Sequence, residues 1–73
     1  MKQYAFLDRD DRGFVLMELK EFASMADAIN HGESLIASGK VGKRLEIHIE
    51  TSEVNENGWG NIWENINFQE EIL

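Results

Sequence analysis

Only one stretch of this chain carries helical periodicity. Met25, Ala28, Ile29, Gly32, Leu35 and Ile36 recur at the spacing that lines one face of a helix. Ser24 stands at the N-cap position with Asp27 three residues on, an acidic form of the capping box, and Gly39 supplies the stop. The predicted helix therefore runs from Met25 to Ser38 and spans roughly 21 Å. The segments on either side alternate or run apolar over strand-like lengths. A single helix can cover only one face of whatever sheet those strands build. Gly32 lies in the middle of the apolar stripe, where it costs about 1 kcal/mol relative to alanine. Close approach of the helix backbone to a sheet would compensate that cost.

Four strands are expected. Residues 2–8 form the first, and Asp10-Asp11-Arg12-Gly13 is a turn signal that joins it to a second over residues 14–22 as a hairpin. The second is apolar on both faces through Phe14-Val15-Leu16-Met17, which reads as a central strand or one covered from both sides. Residues 43–51 form the third. Leu45, Ile47 and Ile49 point one way, while Glu46, His48 and Glu50 point the other. Asn55-Glu56-Asn57-Gly58 is a turn, and residues 59–68 complete the set. On this last strand Ile62, Ile66 and Phe68 share one face with Glu64, and Asn61, Trp63, Asn65 and Asn67 share the other. The fold class is α+β, one domain over residues 1–73 in the order ββαββ, with one helix packed on an antiparallel four-stranded sheet and a loose tail at the end. The strand order stays open. The uncovered sheet face is expected to hold apolar residues drawn from Tyr4, Phe6, Val15, Met17, Leu19 and Trp63, which self-association or docking would bury.

At 73 residues the chain has too little material for two cores. It has no cysteine, so disulfides and thiolate metal sites are excluded. The N-terminus lacks the apolar run of a signal peptide and no segment approaches a membrane span, so a cytoplasmic protein is expected.

Motifs for catalysis or cofactor binding fail on inspection. Asp8-Arg9-Asp10-Asp11-Arg12-Gly13 opens like a calcium loop, but Arg12 stands where a ligand belongs and Leu19 where the bidentate glutamate belongs. Gly39-Lys40-Val41-Gly42-Lys43-Arg44 leaves a helix where a phosphate loop enters one, and reads as a solvated connection. Ser34 lies inside the helix, so Gly32-Glu33-Ser34 cannot form a nucleophile elbow, and His31 at helical spacing does not activate it. No catalytic residue, metal ligand set or cofactor is assigned, and the chain is expected not to be an enzyme. His48, flanked by Glu46 and Glu50, is the one imidazole placed for a small ligand or a metal ion, a subordinate reading.

The charge is informative. Seven Lys and Arg oppose fourteen Asp and Glu, a net −7 that disfavours direct contact with nucleic acid or anionic membrane. The distribution is uneven. Residues 1–44 are neutral together, whereas residues 45–73 hold seven glutamates and no Lys or Arg. Trp59 and Trp63 lie among those glutamates, as aromatic anchors lie among steering charges at an interface. Side chains two apart on one strand face are about 6–7 Å apart, comparable to neighbouring phosphates, so a carboxylate row could act as a nucleic-acid mimic. The candidate partner-binding residues are Glu46, His48, Glu50, Glu53, Glu56, Trp59, Trp63 and Glu64. The expected partner is the basic surface of a larger protein, and a homodimer through the open sheet face is the alternative. In size, charge and compact α+β design the chain is similar in kind to phage inhibitors of host defence, including anti-CRISPR and anti-restriction proteins. That likeness rests on composition and implies an inhibitor that occupies a basic site.

Overall fold

The computed structural model describes residues 1–10, 12–54, 56, 58 and 60–68, with residue 10 described in its backbone alone. It shows β1 (Lys2–Asp10), β2 (Gly13–Phe22), α1 (Met25–Ala37), β3 (Glu46–Val54) and β4 (Asn61–Asn65). All neighbouring strands run antiparallel, and their order across the sheet is β2-β1-β3-β4. The expected α+β architecture, one helix on a four-stranded antiparallel sheet, is the one found. Among the described residues no helix is long and apolar enough to cross a membrane.

The helix ends as its caps dictate. Ser24 Oγ accepts from Asp27 N–H at 3.2 Å, and Gly39, at φ +77°, donates its N–H to Ile36 O at 3.1 Å. Ala28 and Gly32 are buried against the sheet, with Ile29, Leu35 and Ile36 packed at the margin, while Met25 in the first turn is exposed. The glycine is needed for contact. A Cβ at position 32 would lie 2.7 Å from Ile47 Cδ1 and 3.5 Å from Leu45 Cδ2, so the helix backbone rests directly on β3.

The core lies between this helix and one sheet face. Tyr4 and Phe6 of β1, Ile47 of β3, and Leu45 just before it are buried there, each large apolar side chain contributing about 1.5–3 kcal/mol. Tyr4 and Phe6 thus belong to the helix-covered face and not to the open one. Two contributors come from outside regular elements. Val41 turns inward from the α1–β3 connection, whose Gly42 N–H is held by the Asp8 carboxylate at 3.3 Å. That connection is therefore not wholly solvated, although Lys40 and Lys43 are exposed.

Phe68, the other contributor, is fully buried. The last strand stops at Asn65, short of the expected residue 68, because Asn67 adopts φ 54°. That left-handed residue turns the chain and drops the Phe68 ring into the core. Asn67 N–H bonds Asn65 Oδ1 at 2.8 Å and fixes the turn.

The second strand departs furthest from expectation. It is an edge strand, not a central one. Phe6 pairs with Glu18 but Leu7 pairs with Leu16, so Met17 is an extra residue, a β-bulge. The bulge explains the sequence pattern. Before it Phe14 and Leu16 share a face with Leu7 and Arg9, and after it Leu19 shares that same face with Ala5. One apolar stripe crosses from even to odd numbering and so looks like two apolar faces. A second irregularity lies in the other hairpin, where Glu50 pairs with Trp63 but Val54 pairs with Asn61. Thr51 Oγ1 bridges that gap by donating to Ile62 O at 2.7 Å and accepting from Glu53 N–H at 3.2 Å.

Candidate functional site

The register places Glu46, His48, Glu50 and Trp63 on the sheet face that the helix leaves open. Leu7 lies between Leu16 and Glu46, Ala5 between Leu19 and His48, and His48 in turn opposite Asn65, with Glu50 opposite Trp63. The open face therefore divides. Its β2–β1 half is apolar at its centre, with Arg9 at one end and Gln3 and Glu21 at the other, and its β3–β4 half carries glutamates, an imidazole, an asparagine and a tryptophan.

The apolar half is exposed to an unusual degree. Phe14, Val15, Leu16, Met17 and Leu19, five of six consecutive residues, each retain 46–56 % of their surface in solvent. Phe14, Leu16 and Leu19 stand on the open face, while Val15 belongs to the other side of the sheet beside the helix-covered region. Of the residues expected there, Leu19 and Trp63 do lie on the open face; Leu7, Phe14 and Leu16 were not foreseen. Arg9 shares this face, with its guanidinium carbon 5.4 Å from the centre of the Phe14 ring.

On the polar half Glu46 is the organising group. Its Oε1 lies 3.0 Å from His48 Nε2 and accepts from Asn65 Nδ2 at 3.0 Å. One carboxylate thus ties β3 to β4 and fixes the imidazole against the sheet. Glu50, one cross-strand step further, makes no comparable bond among the described residues. Glu46 and Glu50 are four residues apart, about 13 Å along the strand. Among the described residues no three His, Asp or Glu side chains are grouped as metal ligands would be.

The remaining candidates scatter. Glu64 pairs with Ile49, so it projects from the helix-covered side of the sheet, opposite to Trp63. Glu53 lies in the irregular stretch of β3, and Glu56 is exposed in the connection beyond it. Trp59, half of the expected turn and the expected tail after Phe68 lie outside the described residues. Of the eight sequence candidates the structure brings together four on one face: Glu46, His48, Glu50 and Trp63.

The other histidine has a structural setting. His31 Nε2 lies 3.0 Å from Glu18 Oε1, and its ring packs edge-on to Phe6 at 5.1 Å and tilted against Phe22 at 5.4 Å. Phe22 in turn packs edge-on against Tyr4 and Phe6, both at 5.9 Å. This aromatic cluster fastens the distal half of β2 to the helix. Ser34 Oγ donates back to Asn30 O at 3.0 Å, a bond within the helix that leaves it no partnership with His31.

Comparison with known protein families, curated proteins and solved structures finds no match to this chain.

Proposed function

We propose that this chain is a non-enzymatic protein-binding module whose open sheet face docks on a basic site of a larger protein. The observation that carries the reading is the merging of two features that are separate in the sequence. The exposed stripe of Phe14, Leu16 and Leu19 and the group of Glu46, Glu50 and Trp63 occupy one continuous face. An apolar centre beside an acidic margin is the composition of a specific interface, in which the centre supplies affinity and the charge supplies steering and register.

Charge decides between a foreign partner and a second copy. On this face Glu21, Glu46 and Glu50 stand against Arg9, with Arg44 beside Arg9 and Glu46 at one end, and the whole chain carries −7. Two such faces brought together repel, whereas a lysine- or arginine-bearing surface is drawn in. The edge of β2 is equally unsuited to self-pairing. The Met17 bulge interrupts its regular ladder midway, a feature that discourages edge-to-edge pairing. Inhibition of a nucleic-acid-handling protein is one role such a module could serve, through competition for a basic groove.

The test is affinity capture with the intact chain and three variants. Leu16→Glu with Leu19→Glu alters the apolar half, Glu50→Lys with Glu21→Lys alters the acidic margin, and Glu33→Lys on the exposed side of the helix is the control. The captured protein is expected to be lost with the first, weakened and made insensitive to salt with the second, and retained with the third. Equal retention by all three refutes docking through this face.

A further inference from the structure

The open face is not flat. Ala5 lies at its middle on β1, flanked across the strands by Leu19 on one side and His48 on the other. Its single methyl leaves a dip. Leu7, Phe14, Leu16 and Leu19 wall the dip on the β1–β2 side, and His48 and Trp63 close it on the β3–β4 side. The lining is apolar apart from the imidazole, which Glu46 holds in place. Carboxylates stand just outside it, Glu46 opposite Leu7, Glu50 opposite Trp63, and Glu21 two residues beyond Leu19 on the same face, with Arg9 over the Phe14 ring as the cation at the other end.

We infer that the dip receives one large apolar side chain from a partner segment in which lysine or arginine flanks that side chain. The inference rests on the docking reading above and specifies its chemistry. A shallow dip floored by alanine and walled by leucine, phenylalanine and tryptophan offers apolar contact to a single anchor, the kind of residue at which interfaces concentrate binding energy. The flanking cations meet Glu50 and Glu21 at the margin, where a pair forms without the full cost of burying two charges. A neutral apolar ligand would leave those carboxylates unused. A second copy carries the same net charge of −7 and brings a like-charged chain to this face. Arginine alone in the dip would have no carboxylate lining it.

Nuclear magnetic resonance titration of the full chain, labelled with nitrogen-15, tests this with two end-capped peptides, Lys-Lys-Phe-Lys-Lys and Lys-Lys-Ala-Lys-Lys. The phenylalanine peptide is expected to shift the amides of Ala5, Leu19 and His48 and the Trp63 indole saturably. It should bind about tenfold more tightly than the alanine peptide, the advantage that burial of one aromatic side chain supplies. Ala5→Leu fills the dip from its floor without entering the core, and is expected to erase the phenylalanine advantage while leaving the alanine peptide unchanged. Should that variant not fold, Leu19→Gln lowers one wall at an exposed edge position and is expected to reduce the advantage severalfold. Equal affinity of the two peptides, or a preference that survives both variants, overturns the anchor; if both peptides still weaken with Glu50→Lys, acidic docking stands without it. Binding of neither peptide overturns both readings. Shifts at these residues on raising the protein concentration alone assign the face to a second copy and overturn the inference.

Discussion

Replacement of Gly32 by alanine is the sharpest probe of how the helix meets the sheet. The new Cβ would stand 2.7 Å from Ile47 Cδ1, against the 3.5–4.0 Å of an ordinary carbon contact, so about 1 Å must be found. Cδ1 can turn away about χ2, but Ile47 is fully buried in a close-packed core, so the space it turns into is not free. Overpacking of this kind costs about 1–3 kcal/mol. Removing a glycine from a helix interior returns about 1 kcal/mol. The net expectation is a loss of about 0–2 kcal/mol. Ile47→Val removes the clashing atom, and by itself costs about 0.5–1.5 kcal/mol. Together the two changes exchange one methyl for another across the contact and keep the helix gain. The double variant is expected within about 0.5 kcal/mol of the parent, with a favourable coupling of at least about 1 kcal/mol. Urea unfolding followed by circular dichroism resolves this, because 1 kcal/mol moves the midpoint of so small a chain by about 1 M. Additivity within about 0.5 kcal/mol would refute the direct contact, and so would a Gly32→Ala variant that gains the full helix propensity.

Three further outcomes follow from the irregular elements. Phe68→Ala is expected to cost about 3–5 kcal/mol, a large part of the stability of a chain this size, and a thermal melt shifted by less than about 1 kcal/mol would remove Phe68 from the core. Asn67→Gly should leave stability within about 0.5 kcal/mol whereas Asn67→Val should lose more than about 1 kcal/mol, since only the latter resists φ 54°; equal melts of the two would contradict that turn. Deleting Met17 restores regular alternation between Leu16 and Glu18 and produces an unbroken edge strand. Light scattering across a concentration series is expected to show association of the deletion variant, and a particle size equal to the parent's at every concentration would deny the bulge a protective role.

Much of the fold is legible from residues alone, and the reason is local. The helix was readable because its apolar period, N-cap and terminal glycine agree, and Gly32 within its stripe pointed to a close approach that the structure places at Ile47. The alternation of Leu45, Ile47 and Ile49 with Glu46, His48 and Glu50 was readable because strand period two needs no partner to be recognised. The candidate site was legible in part. Glu46, His48, Glu50 and Trp63 were found because charge and aromatic content are properties of composition. Leu19 was expected beside Trp63 on the open face, but Leu7, Phe14 and Leu16 were not joined to them, because no local signal says which strand lies beside which.

The sequence by itself determined the class of the fold, the span of its helix, the turn signals and the concentration of negative charge after residue 44, since each follows from short-range spacing or from counting. Tertiary structure decided what those features do. Strand order moved β2 to an edge. The Met17 bulge changed the parity of its side chains, so that an apparently two-faced apolar strand contributes one stripe to the open face. The left-handed Asn67 sent Phe68 inward, and pairing set Glu64 on the opposite side from Trp63. Each of these depends on pairing between residues distant along the chain or on a single backbone dihedral. Side-chain period carries neither, and a one-residue shift in either reverses which face a side chain serves.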